Sequence, residues 1–259
     1  MHRRVFGWLL ALTLVGSLSW LHTQADAAAA QAQSPGPSGV RTVVIDPGHG
    51  GDETGVVSAT GLTEKDLTLA IATRLQAALA GRPELVAVLT REDDRRLPLR
   101  DRTALANTRK ASVLISLHLN ASAGETLHGA EFTVLTADET DGVALPSPGT
   151  PIPAAGGTTR LIEFVPWDRV ALRHREGSLR LAQVLAGMFE STGQLSPRAV
   201  QAAPLAVLTG ATMPAVVADL GYLTHADDVT RLASPEGQDA VARQLAEAVL
   251  QFLVEVPAP

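Results

Sequence analysis

The chain contains no cysteine, and aromatic residues make up only 3% of it. The first absence removes disulfides, thiolate metal sites and cysteine nucleophiles together, so any metal must be held by His, Asp and Glu. It also excludes a lipid-modified cysteine behind a leader. The second argues against an aromatic platform for stacking sugars. Positive charge is not in excess either: 21 Lys and Arg against 27 Asp and Glu give a net charge of −6. That balance speaks against a nucleic-acid partner. The 259 residues are 46% hydrophobic and 19% charged, which is enough apolar material for a packed core and excludes wholesale disorder.

The N-terminus reads as an address. Arg3 and Arg4 precede an almost wholly apolar run over 5–21, and Ala25-Asp26-Ala27 offers small residues at the two positions a signal peptidase reads. An uncleaved anchor is the rival reading, with an apolar run of about 17 residues at the lower edge for crossing a bilayer. We read 1–27 as a signal peptide and 28–39, rich in Ala, Gln, Ser, Pro and Gly, as a linker. The folded domain is 40–259. Export to the periplasm or cell envelope follows, and a monomer is expected.

Within the domain, apolar β-branched runs alternate with amphipathic stretches. The pattern predicts strands over 42–46, 85–90, 112–119, 130–135, 205–208 and 215–219. It predicts helices over 63–80, 98–109, 178–190 and 235–254, with Thr63 and Ser234 as caps. Strands and helices in alternation give an α/β class: one domain with a central mixed, mostly parallel sheet and helices on both faces. The segment 137–167 breaks the pattern with Pro146, Pro148, Pro151, Pro153, Gly156 and Gly157. So long a connection is either a disordered insertion or a lid beside the site.

In open α/β sheets, ligands bind beyond the carboxyl ends of strands. His49 follows the first strand in Asp46-Pro47-Gly48-His49-Gly50-Gly51, and His118 ends the third in Ser116-Leu117-His118-Leu119-Asn120-Ala121. Glu64 opens the first helix on the same side. Two His and one carboxylate from three elements suit a catalytic zinc site with an open fourth position. Each residue alone also has an ordinary reading, as a hydrogen-bonded strand-end histidine or as a carboxylate on a helix dipole.

These motifs, in order and at matching intervals over about 40–254, resemble the zinc-dependent N-acetylmuramoyl-L-alanine amidases, the catalytic domains of many bacterial cell-wall hydrolases. Val43 through Gly51 resembles the first metal motif, Leu62 through Leu67 the metal glutamate and Ser116 through Ala121 the second histidine motif. Thr90-Arg91, the stretch from Leu99 through Arg102 to Asn107, Gly129-Ala130-Glu131 and Met213 through Val217 also fit. The resemblance implies Zn2+ on His49, Glu64 and His118, a peptidoglycan substrate, and hydrolysis of the amide between N-acetylmuramic acid and L-alanine. It also implies control by an activator protein or by the lid.

The chain departs from the family where a glutamate usually follows the proline-led strand. Here the carboxylate is Asp219, and His225 stands where Asn is common. Three readings of Asp219 remain open: a working base, a weakened centre that still binds wall, or replacement by another carboxylate such as Glu163. The corresponding functional rivals are a zinc- and peptidoglycan-binding or regulatory module and a zinc peptidase or carboxypeptidase. His128 and His174 read as surface histidines, and Arg91, Arg100 and Arg102 as partners of nearby acids such as Asp93, Asp94 and Asp101. Trp167 reads as a packing anchor or a groove wall.

Overall fold

The computed structural model describes residues 39–124, 126–136, 150–153, 159–162 and 167–255. The leader at 1–27, the linker before 39 and most of 137–167, Glu163 included, lie outside the described residues. Among those described, no helix is long and apolar enough to cross a membrane.

Six strands form the main sheet. They are β1 (Arg41–Pro47), β2 (Leu85–Leu89), β3 (Val113–Asn120), β4 (Ala130–Leu135), β7 (Leu195–Ala203) and β8 (Ala215–Tyr222), in the order β2-β1-β3-β8-β4-β7. All neighbours pair in parallel except β4 and β8. The sheet is therefore mixed and mostly parallel, as its composition indicates. In the insertion, β5 (Thr150–Pro153) and β6 (Thr159–Ile162) pair as a separate antiparallel hairpin.

Alternation along the central strands explains the two layers of helix. Val43 and Ile45 of β1, Val113, Ile115 and Leu117 of β3, and Val216 and Ala218 of β8 share one cluster. That cluster takes up the apolar faces of α1 (Glu64–Leu79), α3 (Arg175–Glu190) and α5 (Pro235–Glu255). Val44, Leu114, Ala215 and Val217 face the other way. They pack with Ala106 of α2 (Leu99–Thr108) and with Val207 and Leu208 of a short 3-10 turn. Strands buried on both sides read as near-continuous apolar runs, which is why they are plain in the sequence.

Helix ends follow local chemistry. The Thr63 side chain accepts from the Asp66 backbone N–H at the start of α1. Ser234 Oγ accepts from Gly237 N at 3.1 Å at the start of α5. α4 (Ala226–Ala233) is a two-turn helix between β8 and α5, with His225 at its N-cap position and no side-chain cap bond.

The β5–β6 hairpin has no counterpart in the sequence pattern, and in the main sheet two further strand assignments differ from it. Residues 206–208 form the 3-10 turn, closed by Leu208 N–H to Leu205 O at 3.1 Å, instead of a strand over 205–208. The true edge strand is β7, which the pattern misses. It has Pro197 within it and little apolar alternation, and Ser196 is its one buried residue. An edge strand needs ladder bonds on one side only, so it tolerates proline and polar residues.

From β1 the chain adds β2 on one side and then crosses back to place β3 on the other. That reversal is a topological switch point, and the crevice beyond the carboxyl ends of β1 and β3 is where such folds bind ligands.

The layer over β4 rests on Phe132 and Phe189, both fully buried, with rings 5.4 Å apart in an edge-to-face arrangement. Phe189→Ala is expected to lower unfolding free energy by about 3–5 kcal/mol. Urea denaturation should show a lower midpoint with an unchanged slope; a loss below about 1 kcal/mol would contradict this packing.

Candidate metal centre

β1 ends in the loop that carries His49, and three buried polar residues hold it. The Asp46 carboxylate accepts from Thr90 Oγ1 at 2.5 Å, Arg102 Nη1 at 2.7 Å and Ser116 Oγ at 2.6 Å. Arg102 also donates to the carbonyls of Pro47 and His49. Arg91 donates to the carbonyls of Pro47, Gly48 and Lys65, tying the loop to the first turn of α1. His49 is thereby kept at φ 59, a left-handed conformation that side chains seldom adopt. Such conformations persist where the surroundings over-determine them, and they concentrate at functional sites.

The carbonyl-rich loop approaches its neighbours closely. A Cβ on Gly48 would lie 2.5 Å from His118 Cε1. One on Gly55, at φ +65, would lie 2.4 Å from Glu64 Oε2. Glu64 is buried, and both its oxygens are aimed by backbone donors: Leu119 N to Oε1 at 3.0 Å and Val56 N to Oε2 at 2.9 Å.

His49, Glu64 and His118 come together as the motifs predict. Glu64 Oε1 lies 3.1 Å from His49 Nε2 and 2.8 Å from His118 Nδ1. One donor atom from each residue falls within 4.8 Å of the others. Bonds of about 2.0–2.1 Å to a tetrahedral ion would separate its ligands by roughly 3.3 Å, so the two short separations suit such an ion. The donor set of two imidazole nitrogens and one carboxylate fits zinc or a similar ion of borderline softness.

Electrostatics agree with the geometry. Burial pushes the Glu64 carboxyl up, but the two imidazoles and the Val56 N–H outweigh it and hold the group well below the carboxylate range. Burial pushes the His118 imidazole down, and the Glu64 carboxylate more than offsets this. A cation placed among these atoms would meet a carboxylate already held ionised.

Asp219 of β8 is the cross-strand partner of His118 on one side and of Glu131 on the other. Burial raises its pKa to about 6, with Glu64 and Glu131 adding to the rise and His118 and Arg198 opposing it. Glu131 is buried and accepts from Tyr222 Oη at 2.5 Å, Ser196 Oγ at 2.8 Å and Gln201 Nε2 at 3.2 Å. Burial and this carboxylate push the Tyr222 phenol up to about 12. In the sequence Glu131 stands out only as part of a strand motif; a carboxylate within an apolar strand is the signal that points to it.

The remaining expectations divide. Arg91 and Arg102 are fully buried on loop carbonyls and Asp46, so they are struts and do not face a ligand. Arg100 pairs with Asp101 at 3.5 Å, as expected. His128 is exposed and its ring lies 4.9 Å from that of His225. His174 is partly buried at the start of α3. Trp167 is exposed, with its indole against Gly210, where a Cβ would lie 2.3 Å from the ring. His225 lines a cleft of about 570 Å3 together with Val57, Thr60, Ser122, Leu223 and Val229. The segments that form this cleft adjoin Glu64, His118 and Asp219 in the chain.

A carboxyl whose folded-state pKa is raised favours folding while it is protonated. That contribution is complete below the unfolded value near 3.8 and is lost as pH rises through about 6. In the metal-free protein, Asp219→Asn should therefore be more stable than wild type at pH 8 relative to pH 4, by about 1–3 kcal/mol. Thermal unfolding across pH checks this, and a pH-independent difference would contradict it.

The profile of the family described as N-acetylmuramoyl-L-alanine amidase matches residues 43–251. A Haemophilus influenzae protein named probable N-acetylmuramoyl-L-alanine amidase AmiB is 30% identical over 223 residues, 82% of this chain and 52% of its own length. N-acetylmuramoyl-L-alanine amidase AmiA of Escherichia coli K12 is 26% identical over 232 residues, 83% of this chain and 76% of its own length. The solved structure of an N-acetylmuramoyl-L-alanine amidase from Clostridium difficile 630 superposes with a TM-score of 0.66 at 30% identity. The match covers 84% of this chain and 98% of that one. The chain thus spans about half the length of the H. influenzae relative and most of the solved domain. On the ordered motifs, the shared fold and the extent of the match, the chain belongs to the N-acetylmuramoyl-L-alanine amidase family.

Proposed function

We propose that this protein hydrolyses the amide joining the lactyl group of N-acetylmuramic acid to L-alanine in peptidoglycan, with zinc as its metal. The observation that carries the reading is the convergence of His49, Glu64 and His118, with the half-buried carboxylate Asp219 paired across the strands to His118, on one end of the sheet. The leader predicted at 1–27 supports action outside the cytoplasm, in the periplasm or envelope, where the wall lies.

His49, Glu64 and His118 would hold the ion, leaving a fourth position open. Zinc bound there supplies a Lewis acid for the scissile carbonyl and lowers the pKa of water to about 7. Asp219 accepts the proton of the attacking water as the new C–O bond forms. It then delivers that proton to the L-alanine nitrogen as the C–N bond breaks. The products are a lactyl carboxylate on the sugar and a stem peptide with a free amino terminus. Glu64 is held ionised and pinned by backbone N–H groups, so it acts as a ligand and leaves proton transfer to Asp219.

A second reading rests on one feature. Asp219 is a methylene shorter than the family's usual glutamate, which withdraws the carboxylate by about 1.5 Å. Misplacement of that size can cost about 100-fold in rate. A module that binds zinc and wall with little turnover is the alternative on that account.

Asp219→Asn is expected to lower kcat by about 100- to 10,000-fold while bound zinc, measured by atomic emission, stays the same. An unchanged rate would remove Asp219 from the proton path. The base must be ionised, so kcat/KM should fall with acidification below an apparent pKa at or under about 6, the adjacent cation favouring the carboxylate. Gly55→Ala, by crowding Glu64, should weaken zinc binding at least about tenfold in competition with a chromophoric chelator, since ligand orientation is worth that much. Retained affinity would show that the Gly55 contact does not set the ligand geometry.

A further inference from the structure

β7 leaves regular pairing where it passes the site. Ala130 pairs with Leu195 and Phe132 with Val200, so residues 196–199 of β7 stand opposite the single residue Glu131 of β4. Bulges bend a strand, re-aim its side chains and are over-represented beside active sites. This one presents Arg198. The Arg198 N–H donates to Ser196 Oγ at 3.2 Å, and Gln201 Nε2 donates to the Arg198 carbonyl at 3.2 Å. Gln201 Oε1 in turn accepts from Arg198 Nη2 at 3.0 Å.

The same Ser196 and Gln201 donate to Glu131, the cross-strand partner of Asp219. Glu131 is saturated by Tyr222, Ser196 and Gln201, and Arg198 Nε stands off from its Oε1 at 3.9 Å. The Arg198 side chain remains 52% exposed. One edge of the guanidinium is thus fixed and the rest faces solvent, close enough for its charge to act on Asp219. The arginines around the metal loop are engaged elsewhere: Arg91 and Arg102 on carbonyls, Arg95 with Asp93, and Arg96 with Asp52 and Glu53.

We propose that Arg198 receives the substrate carboxylate nearest the scissile amide and so sets preference among stem peptides. This rests on the amidase reading. The second stem residue is a glutamate joined through its γ-carboxyl, which leaves its α-carboxyl free. In an extended chain that carboxylate lies roughly 7–8 Å from the scissile carbonyl carbon. The Arg198 guanidinium sits over Glu131 on β4, and β4 is one strand spacing, about 5 Å, from β8 and Asp219. One strand spacing plus the further reach of an arginine side chain is of the order of that separation. An arginine fork suits a planar carboxylate, and a carboxamide at the same position keeps the shape but loses the charge.

The test compares muramoyl-L-Ala-γ-D-Glu with its α-carboxamide form, and both with longer stems, using zinc-loaded wild type, Arg198→Gln and Arg198→Lys. Wild type should show a KM about 10- to 100-fold lower for the carboxylate, the range of a charge-assisted hydrogen bond. Arg198→Gln should erase that difference between the two substrates, and Arg198→Lys should keep part of it. A wild type indifferent to the carboxylate, or a preference that survives Arg198→Gln, overturns the proposal. So does a preference that follows stem length, because the carboxylate received is then a distal one. Calorimetry with the dipeptide L-Ala-γ-D-Glu and its carboxamide reads the same contact without turnover. A wild type that cleaves nothing yet binds the carboxylate form more tightly, by way of Arg198, overturns the amidase reading and leaves Arg198 as the receptor of that carboxylate in a binding module. Equal binding of the two dipeptides overturns this one.

Discussion

Arg102 donates to Asp46 and to the carbonyls of Pro47 and His49 in a place that neither side chain shares with water. A charge buried this deeply is tolerated only with its partners in good geometry, and removing one partner of such a pair typically costs about 3–5 kcal/mol. The pair therefore fixes where β1 stops and how the following loop turns. The left-handed backbone of His49, the close pass of Gly48 by His118 and the reach of Arg91 to α1 all follow from that turn. The candidate metal centre is built on the end of a strand whose polar anchor lies beneath it.

A second constraint acts from the neighbouring strands β8 and β4. Three carboxylates, Glu64, Glu131 and Asp219, gather at one end of the strands, and their surroundings set Glu64 and Asp219 apart in proton affinity. Glu64 is held ionised by two imidazoles and a backbone donor, while partial desolvation, with Glu64 and Glu131 nearby, raises Asp219 to about 6 against the pull of His118 and Arg198. Glu131 is held by Tyr222, Ser196 and Gln201 and belongs to the scaffold. Groups of one chemical type driven apart in proton affinity are how a single site divides ligand work from proton transfer.

Much of this was legible in the sequence, for identifiable reasons. Val43 through Asp46 and Val113 through Leu117 are buried on both faces, so they appear as apolar runs, and the residues that follow them must lie at the strand ends. That places His49 and His118, and the Thr63 cap places Glu64. The parts that were not legible depend on pairing between distant segments. β7 is a polar edge strand with a proline, and nothing local marks it. Arg91 and Arg102 look like surface arginines because their partners are mostly backbone carbonyls, which carry no signature in a sequence. The arrangement of Arg198 needs the bulge opposite Glu131, a property of register alone.

The central claim is that this end of the sheet cleaves the muramoyl–L-alanine bond and that Asp219 suffices for it. The most direct measurement incubates zinc-loaded wild type, Asp219→Glu and His49→Ala with purified peptidoglycan and identifies the released fragments by mass spectrometry. The account predicts that wild type releases intact stem peptides beginning at L-alanine, leaving the lactyl carboxylate on the sugar, and that His49→Ala releases none. Release by Asp219→Glu alone would contradict it, showing a metal site of the right form in a protein whose natural base no longer serves.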